Sequence, residues 1–271
     1  MAHVVRELVR TRALVVLLAR RELRARYRGS LFGYLWTLLN PLMLLGIYSL
    51  VFAVYARVDV VDYPIFLLVG LLPWLWFTSA LTTATTTIVR NRQMVTHSAF
   101  PPQILPAVEV LAALVNFVLG LPVLLAAMAW CDRLPGVSLV ALPAVIACQA
   151  MFILGLSLAS SSATVFYRDV QFILGNFLTF WMFLTPGILY PLDLARKGLA
   201  RLGAPWDDIA LALLRFANPM APITNAYQAI FYDRRFPDAA DLATSAAHGI
   251  AMLAFGLFVF ARYRYPLVEE I

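Results

Sequence analysis

RYRGSLFGYLWTLLNP, residues 26–41, passes within a few positions from arginines that need water to an apolar run suited to lipid. Such a stretch marks the seam between a membrane interface and a membrane span. It either anchors the chain at the surface or belongs to a working part. Its surroundings decide the class. The chain has 271 residues, 62% of them hydrophobic and only 13% charged. A soluble domain is about half apolar and about 25% charged, so the composition is that of an integral membrane protein. The net charge of +6 does not point to nucleic acid. The arginines stand in short blocks between long apolar runs, as positive-inside topology requires. Cys131 and Cys148 lie in no metal-ligand or disulfide spacing.

A spanning helix needs about 20 mainly apolar residues. Six stretches qualify: 34–55, 64–89, 104–130, 139–166, 170–190 and 244–260. With both termini cytoplasmic, 13 of the 21 basic residues fall on the inner side, and most of the rest lie in one long outer loop. The expected fold is an all-α membrane protein of one domain, 1–271. An interfacial helix and turn occupy 1–33, and spans one to five occupy 34–190. An outer loop with two short re-entrant helices, near 206–216 and 218–232, occupies 191–242. Span six and a cytoplasmic tail follow at 243–271. ALVVLLA, residues 13–19, has the character of a signal-peptide core, but Arg20 and Arg21 follow where a cleavage site would need small residues.

Before the first span, Arg6, Arg10, Arg20, Arg21, Arg24 and Arg28 fall on one arc of a helix. Val5, Leu8, Val9, Val16, Leu23 and Tyr27 fall on another, interrupted by Arg12 and Arg26. That pattern predicts an amphipathic helix lying in the interface, with Gly29 turning the chain into the first span. Two readings stand: a topology anchor, or a cuff around a side entrance from the lipid.

RNRQMVTHSAFPP, residues 90–102, predicts a short helix over 91–99, stopped by Pro101 and Pro102. YRDV, residues 167–170, predicts a turn at the inner interface. Among the aromatics, Tyr34, Trp36, Phe177, Trp181 and Tyr190 belong to spans one and five. They either face lipid and neighbouring helices or line a path for sugars, on whose apolar faces aromatic rings stack. Asn40, Glu109, Asn116, Gln149 and Asn176 are polar groups inside spans and should face protein or a cavity. SLASSSAT, residues 157–164, is a run of small residues suited to close helix contact. The one lysine, Lys197, is followed by Gly198, so a phosphate-cradling G-x-x-x-x-G-K-[ST] loop is impossible. If the protein does energy-requiring work, its nucleotide site belongs to another chain.

Four pieces carry a family resemblance in order along nearly the whole chain. They are RELRARYRGSLFGYLWTLLNPLMLLGIYSLVF at 21–52, FPPQILP at 100–106, FYRDVQFILGNFLTFWMFLTPGILYPLD at 166–193 and NPMAPITNAYQAIFY at 218–232. Together they resemble the permease subunit of type-2 ABC exporters of the polysaccharide and polyol-phosphate export family, which carry O-antigen, capsule or teichoic-acid polymers.

The resemblance implies an inner-membrane half-transporter: two copies of this chain with two ABC ATPase subunits, acting on a lipid-linked glycan. ATP and Mg would sit on the partner ATPase, with no cofactor, metal or catalytic residue on this chain. It implies a lateral gate at Arg24, Arg26, Tyr27, Arg28 and Gly29, where lipid phosphates enter. It implies an ATPase-coupling helix formed by Asn91, Arg92, Gln93, Met94 and Val95, with Thr96, His97, Ser98 and Ala99, joined by Arg168 and Asp169 of the inner turn. Tyr34, Trp36, Phe177, Trp181 and Tyr190 would line the channel. It assigns no role to Glu109. Three alternatives are weighed beside it: an ABC exporter of a drug or lipid, an ion-coupled transporter using Glu109, and a membrane glycosyltransferase.

Overall fold

The computed structural model describes residues 2–29, 33–55, 60–97, 100–202, 209 and 212–270, and among them all regular structure is helical. In chain order the helices are α1 (Ala2–Arg10), α2 (Arg12–Tyr27), α3 (Trp36–Ser49), α4 (Tyr63–Arg90), α5 (Arg92–His97) and α6 (Ile104–Trp130). They continue with α7 (Leu142–Phe166), α8 (Val170–Phe183), α9 (Leu192–Leu202), α10 (Met220–Phe231) and α11 (Ala239–Glu270).

The bundle is built around α4. From Tyr63 to Phe77 its sequence is apolar on every face, and a helix of that kind belongs in a core rather than at a surface. Leu67, Leu71, Phe77, Leu81 and Ile88 are all buried, and α3, α6, α7, α8 and α10 all pack against it. Pro64 sits in its first turn, where the missing N–H costs nothing. The most extensive helix-helix contact is that of α7 with α11. A Cβ on Gly155 of α7 would strike the backbone of Met252, one on Gly256 of α11 would strike Gly155, and one on Gly249 would meet the carbonyl of Cys148. Glycines at these positions let two backbones touch, which is how helices associate where no hydrophobic force separates protein from solvent.

Among the described residues, four helices are long and apolar enough to cross a membrane: Tyr63–Arg90, Ile104–Trp130, Val137–Phe166 and Ala239–Arg264. They match the expected second, third, fourth and sixth spans. The first and fifth are shorter. Regular α3 ends at Ser49 and continues as a π-helical turn over Leu50–Tyr55. Helix α8 ends at Phe183, seven residues before the expected end of the span at 190. Hydropathy misplaced that end because the following residues are apolar too. Pro186 cannot continue a helix, and Gly187 takes φ +86°, so Thr185 to Leu189 turn inward and are buried without being helical.

Three further expectations change. The N-terminal segment is two helices broken at Thr11, not one. It buries Val4, Ala19 and Leu23 while Val5, Val9 and Val16 are exposed. Its rotation is set by polar contacts: Glu7 pairs with Arg264 at 3.2 Å and hydrogen-bonds Gln103, and Arg26 reaches Glu109. Helix α9 lies where no element was expected. Of the two short helices expected in the outer loop, the second is α10. In the first, residues 206–208, 210 and 211 lie outside the described residues, and its last part is a π-helical turn over Leu213–Ala217.

Candidate functional site

Glu109 stands in the second turn of α6 and is 2% exposed. Arg26 Nη2, from the last turn of α2, lies 3.3 Å from its Oε2. Arg90 Nη2, from the last residue of α4, lies 2.5 Å from its Oε1, and Thr87 Oγ1 donates to the same oxygen at 3.2 Å. Glu22 Oε1 is 3.8 Å from Arg26 and 3.9 Å from Arg90. Two arginines thus meet two carboxylates, and the charge balances locally. An isolated carboxylate at this depth would be costly; here it ties three elements together. Arg90 directly precedes Asn91, whose Nδ2 donates to the Thr87 carbonyl at 2.8 Å. Helix α5 begins at the next residue, so one buried carboxylate links the end of α2 to the root of α5.

Above Arg26 a cavity of about 540 Å³ opens between α3, α4 and α6. Trp36, Asn40 and Pro41 line it from α3, Thr78, Ser79 and Thr82 from α4, and Asn116 from α6. Thr78 and Thr82 donate their hydroxyl hydrogens back to the α4 carbonyls of Trp74 and Thr78, which leaves their oxygens as acceptors. Toward the other end the lining turns apolar, with Leu72, Leu75 and Phe117.

The expected gate residues gather where α2 ends. Arg24, Arg28 and Gly29 are exposed, Arg26 is half-buried in the ion-pair cluster, and Gly29 takes φ +78°; the side chain of Tyr27 lies outside the described residues. In α5, Val95 is buried in a cluster with Val4, Ile88, Leu105 and Leu158, against which Met94 and Phe166 pack. Arg92, Gln93 and Thr96 are exposed on its other side. Arg168 and Asp169 are exposed in the turn that follows Phe166, so they share this end of the bundle with α5. Ser98, Ala99 and the side chain of His97 lie outside the described residues.

The expected lining residues divide. Trp36 is 43% exposed and Phe177 is 50% exposed. Trp181 instead packs among Trp74, Phe77, Phe152 and Phe177, with ring centroids 5.2–6.3 Å apart. Its Nε1 donates to Asn218 Oδ1 at 2.8 Å. Tyr190 Oη donates to the Phe183 carbonyl at 2.9 Å. The side chain of Tyr34 lies outside the described residues. Gln149 is fully buried, donates to the Pro73 carbonyl and accepts from Tyr227, both at 2.8 Å.

At the opposite end of the bundle, the buried turn 185–189 closes on itself with Gly187 N–H donating to the Tyr190 carbonyl at 2.8 Å, and side chains hold its carbonyls. Gln228 Nε2 donates to the carbonyls of Phe66 and Gly187, Thr224 Oγ1 to that of Pro186, and Tyr63 Oη to that of Leu189. Gln228 and Asn218 carry no special signal in the sequence. Only their places in the quoted 218–232 stretch could have drawn notice.

Comparison with known proteins agrees with this architecture. The ABC-2 type transporter family matches residues 13–201, which includes the ion-pair cluster, the cavity and α5. The O-antigen export system permease protein RfbA of Myxococcus xanthus is 38% identical over 271 residues, covering 100% of both chains. The protein of the same name from Klebsiella pneumoniae is 32% identical over 257 residues, covering 94% of both. With most of its length matched by the family and its whole length by a relative, the chain belongs to the ABC-2 type transporter family.

Proposed function

We propose that this protein is the membrane-spanning subunit of an ABC exporter that carries a lipid-linked polysaccharide or polyol-phosphate polymer across the cytoplasmic membrane. The observation that carries this is the end-to-end similarity to O-antigen export permeases, at 38% identity without a gap in coverage. The transporter is two copies of this chain with two ATPase subunits that hold ATP and Mg. The chain crosses the membrane six times, with both termini cytoplasmic, and α3 and α8 are the first and fifth crossings. The bare outer faces of those two helices, with Met43, Ile47, Phe172 and Phe180 exposed, support a second copy or lipid against them.

The arginine-rich end supplies the working parts. Exposed side chains of α5 and of the turn at Arg168 and Asp169 offer the ATPase a docking surface. When ATP binding displaces α5, the end of α4 moves with it, and Arg90 transmits the shift through Glu109 to Arg26. The end of α2 then swings, and lipid phosphates pass Arg24, Arg26 and Arg28 into the channel between the two copies. Trp36 and Phe177 offer their faces to sugars, with Tyr34 just before the first crossing, Trp181 on the fifth and Tyr190 beyond the turn that follows it. The turn 185–189 and α10 cap the exit. Glu109, clasped by two arginines, serves here as a fastening and gives no support to an ion-coupled carrier.

Removing the gene from its host tests the proposal. Surface polymer should disappear, lipid-linked glycan should accumulate inside, and a plasmid copy should reverse both. Unchanged surface polymer in the deleted strain refutes it.

A further inference from the structure

The cavity between α3, α4 and α6 has the polarity profile of a lipid. Along α4 the lining runs from Thr82 through Ser79 and Thr78 to Leu75 and Leu72. That distance is about 15 Å at 1.5 Å per residue, the length of a head group with the first part of its chain. The charge is at one end only, where Arg26 stands on the rim. Both carboxylate contacts of Arg26 run through Nη2, and a guanidinium carries five N–H donors in a fixed fork. The hydroxyl oxygens of Thr78, Ser79 and Thr82 and the amide oxygen of Asn40 follow next, and they suit hydroxyl or ammonium donors. The apolar end, with Leu72, Leu75 and Phe117, suits hydrocarbon.

We infer that this cavity holds the phosphate-bearing head of a membrane lipid within a single subunit, its phosphate at Arg26 and the first part of its chain against Leu72, Leu75 and Phe117. Arg26 keeps its contacts to Glu22 and Glu109 through Nη2 and meets the phosphate through its other N–H donors, since an arginine fork meets phosphate oxygens in pairs. A cavity of about 540 Å³ accommodates the head and upper chain but not a polymer, so the site holds one end of a lipid. Two lipids share this chemistry: a bilayer phospholipid, and the prenyl-phosphate carrier of a glycan. Only the second source rests on the exporter reading.

Photolabelling separates them. The full chain is placed in nanodiscs of phosphatidylcholine with one of three photoreactive probes: phosphatidylglycerol, a prenyl diphosphate sugar, or diacylglycerol, which lacks phosphate. Labelled peptides are read by mass spectrometry. A phosphate-bearing probe should label 72–82 and 113–117, and diacylglycerol should label them roughly tenfold less, the loss expected for one charge-assisted hydrogen bond. Labelling by either phosphate probe supports the site, and the probe that labels names the source. Ser79→Phe, which fills the cavity, should remove this labelling and leave that of the exposed α8 face at Phe172 and Ile173. Equal labelling by diacylglycerol in the unaltered chain overturns the inference, as does undiminished labelling of Ser79→Phe. None of these measurements needs transport, so a failure of the exporter reading leaves the site standing.

Discussion

Arg26 and Glu109, 83 positions apart in the chain, meet through a 3.3 Å contact between Nη2 and Oε2. Each breaks its local pattern: Arg26 interrupts the apolar side of an interfacial helix, and Glu109 is an acid inside a membrane span. Each is the reason for the other. Removing one partner of a buried pair strands the remaining charges, at a cost of roughly 3–5 kcal/mol, whereas removing both costs less. Glu109→Met should therefore lower the thermal stability of the purified chain markedly. Arg26→Met with Glu109→Met should recover part of that loss. Strictly additive losses in the double variant would mean that the two side chains do not act as a pair.

The glycine contact between α7 and α11 gives a sharp contrast. Gly256→Leu has no room against the Gly155 backbone and should cost about 1–3 kcal/mol or more. Gly175→Ala, on α8 with nothing within 4 Å of the added carbon, should be neutral or stabilising by about 0.5–1 kcal/mol. Thermal unfolding in detergent reads both. Equal melting temperatures for the two variants would remove the close helix contact from the account.

Trp36 and Trp181 should part company. Trp181→Ala empties an aromatic cluster and removes one of the two donors to Asn218 Oδ1, so it should lose about 3–5 kcal/mol of stability and export along with it. Trp36→Ala, at an exposed position, should keep the fold and slow export while ATP hydrolysis by the complex continues. If Trp181→Ala melts with the unaltered protein and only export falls, that ring contacts cargo instead of packing.

Much of the fold was legible because length and hydropathy suffice for long spans. The observed α6, Ile104–Trp130, coincides with the expected third span, and the Asn91 helix and the 218–232 helix also appear where expected. The fifth span was misjudged at its end because the turn after Phe183 is as apolar as the helix. Two of its carbonyls are satisfied by Thr224 and Gln228, far along the chain. The rotation of α1 and α2 was not legible either, since Arg264 and Glu109 set it from distant positions. Thr78, Ser79 and Thr82 belong to a run of small polar residues on α4. Only the approach of α3 and α6 turns them into a cavity wall.

The arginine entrance can be tested by charge alone. Arg24→Glu with Arg28→Glu changes two exposed side chains and leaves the Arg26–Glu109 pair intact. If lipid phosphates pass these positions, the variant should insert and assemble with its ATPase yet accumulate polymer inside. Lysine at both positions should give a smaller defect, because lysine lacks the paired donors of arginine. Normal surface polymer from a correctly assembled double variant would leave these arginines as anchors only.

The most direct measurement is transfer in a purified system. The full chain and its cognate ATPase are reconstituted in liposomes that contain the host's lipid-linked glycan, and glycan reaching the far leaflet is measured by its accessibility to an added glycosidase. Exposure should require both proteins and ATP, and the chain alone should neither hydrolyse ATP nor transfer glycan. Transfer by the chain alone under an ion gradient, or none when both proteins hydrolyse ATP in the presence of the glycan, would contradict the account.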